Sequence, residues 1–115
     1  MEYQNRINWS DFEKIDMRIG TIIEATEFHR AKKPAYQLTI DFGAEVGIKR
    51  SSAQITKHYT LESLKGQQII AVVNFPPKNI AGFISECLIL GIYDEQNDVV
   101  LLSPKTPVSN GLKIG

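Results

Sequence analysis

Cysteine and histidine are almost missing from this chain: Cys87 is the only thiol, and His29 and His58 are the only imidazoles. One thiol forms no intrachain disulfide, which fits a reducing compartment. A metal centre needs clustered Cys, His or carboxylate ligands, and here no ligand pair has helical or hairpin spacing. Cys87 sits in an apolar run between Glu86 and Leu88, so it reads as a small hydrophobe and not as a nucleophile. Gly43 to Gly47 (GAEVG) has no lysine–serine continuation and reads as a turn, not a phosphate cradle. Asp94-Glu95 lies in a polar turn beside Asn97. Catalytic chemistry finds no residue set, and binding remains; no cofactor and no metal are expected.

Other absences narrow the class. No apolar run reaches the roughly 20 residues of a membrane span. The start, MEYQNRINWSDFEK, lacks the basic and apolar regions of a secretory signal, so a cytoplasmic location is expected. Net charge is zero across 115 residues, which speaks against a strongly cationic binder. The charge is uneven, however. From Phe28 to His58 six basic residues (Arg30, Lys32, Lys33, Lys49, Arg50, Lys57) face two acidic ones (Asp41, Glu45). That segment either forms one positive face or is ordinary solvated surface.

What is present is strand periodicity in a chain of one-domain size. Ser10 to Lys14 has capping-box spacing (Ser10, Glu13), with Trp9 as a staple, and predicts one helical turn. Met17 to Phe28 alternates with β-branched enrichment: Met17, Ile19, Thr21, Ile23 and Ala25 form one face. Gly20 inside that strand marks a sharp bend. Tyr36, Leu38, Ile40 and Phe42 alternate in a second strand. A third runs from Val46 to Arg50 with Val46 and Ile48 inward. Ser51 to Leu64 breaks the pattern and predicts a short helix or two helical turns, with Thr60 as a cap and Gly66 as the stop. Gln67 to Phe75 is apolar on both faces and should be the most buried strand. Ile84 to Ile92 is a fifth strand, and Val99 to Leu102 a short addition. These elements predict an all-β, five-stranded OB-fold barrel with a short helical connector, an N-terminal helical turn and extra C-terminal strands. Residues 1–9 form an N-terminal extension and 10–115 the domain.

Between two apolar strands lies Asn74 to Leu90, NFPPKNIAGFISECLIL. Taken alone, Pro76-Pro77 and Phe83 read as a rigid turn with a core aromatic. The run resembles the tRNA-binding domain fused to some methionyl-tRNA synthetases, whose pattern here is N-L-x-P-x-K-M-R-G-x-x-S; Asn74, Pro77, Gly82 and Ser85 match. Asp16 to Gly20 and Leu38 to Gly43 also resemble that family. Within it, Ile48 to Thr56, Ala71 to Phe83 and Asn110 to Gly115 resemble the stand-alone CsaA-type chaperones.

The resemblance implies an OB-fold homodimer that binds unfolded or precursor proteins and assists export, possible export machinery among its partners. Ile80 and Ala81 stand where the tRNA binders carry methionine and arginine. Losing an arginine removes a phosphate contact. The expected client surface is therefore apolar: Phe75, Pro76, Pro77, Ile80, Ala81 and Phe83, with Ser51, Ser52, Gln54, Asn74 and Ser85 bonding to an extended backbone. The alternative is a tRNA or structured-RNA module in the same groove, using Lys49, Arg50, Lys78, Asn79 and Ser85. Trp9, Phe12, Val108, Leu112 and Ile114 are the expected dimer contacts, the tail residues either joining a second subunit or covering the barrel.

Overall fold

The computed structural model describes residues 5–115. Helix α1 spans Trp9–Glu13. Its first turn is closed by Asn8 and Asp11: the Asn8 amide donates to the Asp11 carboxylate at 2.9 Å, and the Asp11 amide to the Asn8 carbonyl at 3.0 Å. The cap is therefore Asn8, not Ser10. Starting the helix at Trp9 puts Trp9 and Phe12 on one face, with ring centroids 5.4 Å apart.

Five strands form the main sheet: β1 (Met17–Glu27), β2 (Tyr36–Asp41), β3 (Ile48–Ala53), β4 (Gln68–Val72) and, later in the chain, β7 (Leu88–Ile89), in the order β3-β2-β1-β4-β7. The neighbours are antiparallel. Tyr36, Leu38, Ile40 and Phe42 all point into the barrel, as their alternation predicts. Ile69 and Ala71 meet them from β4, again fully buried. The sheet curls until the Glu86 amide, just before β7, donates to the Arg50 carbonyl of β3 at 2.7 Å. The result is a nearly closed five-stranded barrel, the predicted OB-fold. Helix α3 (Leu61–Leu64) connects β3 and β4 and buries Leu64. Thr60 caps it, its hydroxyl accepting from the Ser63 amide at 3.0 Å.

Three expectations need correction. The inward face of β1 changes phase: Ile22 is fully buried, whereas Ile23 is exposed. A bulge between Ile22 and Glu24 inserts one residue, so Ile22 and then Ala25 face the core. The third strand begins at Ile48, because Gly43–Val46 forms a single turn, α2, framed by Gly43 and Gly47 at φ 88° and 87°. Val46 packs on the core, but Ile48 is 61% exposed and Ser51 takes the inward place opposite Leu38. The stretch from Ile84 to Ile92 is not one strand. It divides among β6 (Phe83–Ser85), β7 and β8 (Gly91–Tyr93), because β6 first folds back on β5 (Lys78–Ile80) and the turn through Glu86 and Cys87 is drawn onto β3. Strand β9 (Val99–Leu101) pairs with β8.

The tail belongs to its own barrel. Gly111 donates to the Ile19 carbonyl at 2.7 Å, Ile19 to Leu112 at 3.0 Å and Ile114 to Met17 at 2.9 Å. This covers the edge of β1 that β2 is too short to reach. Arg18 locks the corner, bonding Asp16 at 2.6 Å and the Gly111 carbonyl at 3.0 Å. The guanidinium holds the Asp16 carboxyl below its ordinary range, and the carboxylate raises Arg18 in return.

Gly20 is required where β1 bends across the core. A Cβ there would lie 2.6 Å from both Ile40 Cγ2 and Phe42 Cδ1. Gly20→Ala should lower stability by about 1–3 kcal/mol, the overpacking range. A urea titration would read it as a lower midpoint; an unchanged midpoint would mean the core yields freely there.

Candidate binding cleft

The hairpin β5–β6 projects from the barrel and sets the site. Its turn is Ala81-Gly82, both at positive φ (51° and 86°), the geometry that suits a two-residue hairpin. Asn79 Oδ1 accepts from the Gly82 amide at 2.9 Å and tightens it. Phe83 anchors the hairpin: it is buried with Phe28 and Ala35 in a small satellite core, and the Phe28 and Phe83 centroids lie 5.5 Å apart. The Arg50 guanidinium lies 4.4 Å from the Phe83 centroid, a cation–π contact.

On one side of the hairpin is a cleft of about 880 Å³. Ser52 to Ile55 line one wall, and Leu88 and Ile89 the other. Ile80 and Ala81 approach from the hairpin, and Tyr93, Asn97, Val99 and Leu101 from β8, β9 and their turn. The β1–β2 loop adds Arg30, Lys32 and Lys33. Among the described residues that line it, none is acidic. A shallower pocket of about 430 Å³ lies beyond, lined by Arg30, Gln37, Arg50, Phe83 and Glu86 among others. Among the described residues, neither arginine takes part in an ion pair.

The wall formed by β8 and β9 is tied down. Tyr59 accepts from the Leu101 amide at 2.9 Å, and its own carbonyl accepts from the Tyr36 hydroxyl at 2.8 Å. Asp94 caps the β8–β9 turn, one oxygen accepting from the Gln96 and Asp98 amides at 3.0 and 2.9 Å. The other oxygen lies 2.6 Å from His58 Nε2. The Asp98 amide, then His58, hold the Asp94 carboxyl below its ordinary range. His58 is distant in sequence from Asp94 and Asp98, which share one turn, yet the ligand-type atoms of all three lie within 4.8 Å of one another. Spacing along the chain therefore misses a cluster that the barrel assembles. Its hydrogen bonds account for it as a clamp on the turn.

The predicted surface is only partly one place. Ser52, Gln54, Ile80 and Ala81 line the cleft, while Arg50 and Phe83 belong to the shallower pocket. Phe83 is 5% exposed and so forms a floor, not a freely presented platform. Ser51 is not available to a ligand: it is 1% exposed and its hydroxyl donates to the Cys87 carbonyl at 2.9 Å. Asn74 is also committed, donating to the Lys14 carbonyl at 2.7 Å and accepting from the Asp16 amide at 3.1 Å. That clamp takes the chain toward α1, and exposed Phe75, Pro76 and Pro77 line neither cavity. Ser85 turns toward the Cys87 carbonyl at 3.5 Å. Lys49, Lys78 and Asn79 also line neither cavity, and Asn79 serves the hairpin turn.

Of the expected dimer contacts, Trp9, Val108 and Leu112 are exposed, while Phe12 and Ile114 are partly covered by their own chain. Sequence reasoning missed Phe28, Leu88, Ile89 and Tyr93 as site residues. It registered Arg30, Lys32 and Lys33 only as charge. Their signal was the basic run before Pro34.

Phe83→Ala should destabilise the domain by about 3–5 kcal/mol, the range for emptying a buried aromatic site. Thermal or urea unfolding would measure this; a loss of ligand binding at unchanged stability would instead make Phe83 a contact residue.

The chain is similar to several known proteins over nearly its whole length. Residues 17–113 match the family described as "Putative tRNA binding domain". Among curated relatives, the methionine–tRNA ligase of Pyrococcus horikoshii is 36% identical over 99% of this chain, and that of Methanocaldococcus jannaschii 32% over 98%. The chain spans only 15% and 17% of those two proteins. Among solved structures, chaperone CsaA from Bacillus anthracis superimposes with a TM-score of 0.91 at 57% identity, over 96% of this chain and 100% of that one. The CsaA chaperone protein from Picrophilus torridus gives 0.90 at 51% identity, with the same coverage. Continuous barrel, hairpin and tail all fall within these matches, and the chain belongs to the tRNA-binding-domain family as a domain of the CsaA type.

Proposed function

We propose that this protein is a non-catalytic, chaperone-like binding module that holds unfolded or precursor polypeptides in the cytoplasm before secretion, and works as a homodimer. The observation that carries the reading is the cleft: apolar groups (Ile55, Ile80, Ala81, Leu88, Ile89) form much of its surface. Apolar side chains exposed by an unfolded client would be desolvated there. Ala81 at the hairpin tip places a methyl group where the tRNA binders of the family pattern place a guanidinium. The similarity to the CsaA chaperones of Bacillus anthracis and Picrophilus torridus supports the same reading. Cys87 is free, which accords with a reducing compartment, and among the described residues no helix is long and apolar enough to cross a membrane.

Dimerisation is supported by large apolar groups left open near α1. Ile7, Trp9, Ile15 and Phe75 are all exposed, Trp9 by 68%. Two clefts on one dimer would raise avidity for a long client. Sedimentation equilibrium should find two chains per particle, and Trp9→Ser should shift the population toward one. A wild-type monomer at all concentrations would remove the dimer.

A second reading, tRNA binding in the same groove, is favoured by Arg30, Lys32 and Lys33 and by the family description. Competition between an unfolded preprotein and tRNA at two salt concentrations separates the readings. A polypeptide site should retain most preprotein affinity as salt rises. A phosphate site should lose affinity steeply, and Lys33→Ala should lower the log–log salt slope by about one. Salt-sensitive tRNA binding that preprotein does not displace would overturn the chaperone-like reading.

A further inference from the structure

We propose that the shallower pocket is a carboxylate subsite: Arg30 and Arg50 hold an acidic group of the client while its neighbouring apolar side chains occupy the cleft. This rests on the polypeptide-binding reading above and specifies the client.

The pocket of about 430 Å³ meets the cleft at the hairpin tip, where Phe28, Arg30 and Ala81 line both cavities. Two guanidinium groups converge on the residues at and just after that tip. Arg30 Nη1 lies 3.4 Å from where a Cβ on Gly82 would stand, and Arg50 Cζ lies 4.4 Å from the centroid of the adjacent Phe83 ring. Neither group is in an ion pair among the described residues. Glu86 is the carboxylate in the wall, and it accepts from the Arg50 amide at 3.0 Å. It therefore serves the main chain and not a guanidinium. Gln37 of β2 adds an amide to the same wall. Neighbouring cations without a partner repel each other, and an anion bound by both relieves that repulsion. The planar fork of an arginine matches the two oxygens of a carboxylate.

A phosphate of a single-stranded nucleic acid fits the pocket less well. Such strands are held by bases stacked on aromatic faces as well as by charge. Both aromatics of this pocket, Phe28 and Phe83, are only 5% exposed, and Arg50 lies over the Phe83 ring. No ring face is left for a base. A polypeptide needs none, because a carboxylate close in sequence to an apolar side chain can enter the pocket while that side chain enters the cleft. Burial of apolar groups then supplies most of the affinity, and the arginines select among apolar segments by charge.

The probe is a short synthetic peptide, blocked at both ends, with leucines beside one glutamate, titrated against the intact protein. Changing its glutamate to glutamine removes the charge and keeps the shape. Wild type should bind the glutamine peptide about fivefold more weakly, the scale of an exposed ion pair. Arg50→Gln and Arg30→Gln should each abolish most of that difference. Arg30 lies in an exposed loop, so its variant reads the subsite even where Arg50→Gln disturbs Phe83. Lys57→Gln, which removes a cation lining neither cavity, should leave the difference intact. A glutamine peptide with a free terminal carboxylate tests the other source of the same group. Affinity regained by it, and lost again in both arginine variants, supports the subsite with the chain terminus as ligand. Equal affinity of wild type for the two blocked peptides, an equal loss of both peptides in the arginine variants, or as large a change in Lys57→Gln would each overturn the subsite. So would absent peptide binding while an unfolded preprotein still binds, and the polypeptide-binding reading would then survive alone. Binding of tRNA that both arginine variants lose, with the glutamate peptide unaffected by them, would give the pocket to phosphate instead. If tRNA binds and unfolded preprotein does not, both fall.

Discussion

The fold depends on how the ends of the sheet meet. Strands β3 and β7 are brought together at one point, where Glu86 bonds to Arg50 and the Ser51 hydroxyl reaches the Cys87 carbonyl. Each such bond contributes about 0.5–1.5 kcal/mol net, so the seam is a local fastening and not a continuous ladder. Its position nevertheless decides the architecture. It makes Ser51 and Cys87 interior residues and cuts the predicted fifth strand into pieces. Burial and the adjacent Glu86 raise the Cys87 thiol to about 12, with burial the larger cause, so it stays neutral and serves as packing. Beyond the fastening no ladder joins the two strands, and both line the cleft.

The same seam explains the arrangement around the cleft. Arg50 is held at its main chain by Glu86, and its side chain lies over Phe83. Phe83 in turn joins the hairpin to Phe28, the last core residue before the basic loop. Cations of that loop are thus placed beside an apolar surface by packing, with no ion pair to hold them among the described residues. The opposite end of β1 is stabilised differently. Gly20 lets the strand bend over Ile40 and Phe42, and the tail supplies main-chain partners where β2 has ended.

Several features were legible because local chemistry and tertiary context agree. The alternation of Tyr36, Leu38, Ile40 and Phe42 survives because one face of β2 is wholly interior. Thr60 caps α3 as expected because its partner, Ser63, is local. The errors have equally specific causes. A bulge reverses the phase after Ile22, and β propensity at Val46 gives way to a turn framed by two glycines. Phe83 looks the same in sequence whether it is a presented aromatic or a core one. Asn74 carries a family signature yet uses its amide to fasten α1 to β1.

Composition and periodicity determined that this is a small β-barrel suited to binding, because alternation and the burial of apolar groups are local properties of the chain. The motif around Asn74–Leu90 also singled out this stretch from sequence as a turn and a candidate surface, but not as a hairpin. Tertiary structure alone decided which of its residues face the cleft. That choice depends on contacts between residues far apart: Arg50 with Phe83, Ser51 with Cys87, Asn74 with Lys14, and His58 with Asp94. Each forms only when the sheet has curled, so no spacing along the chain encodes it.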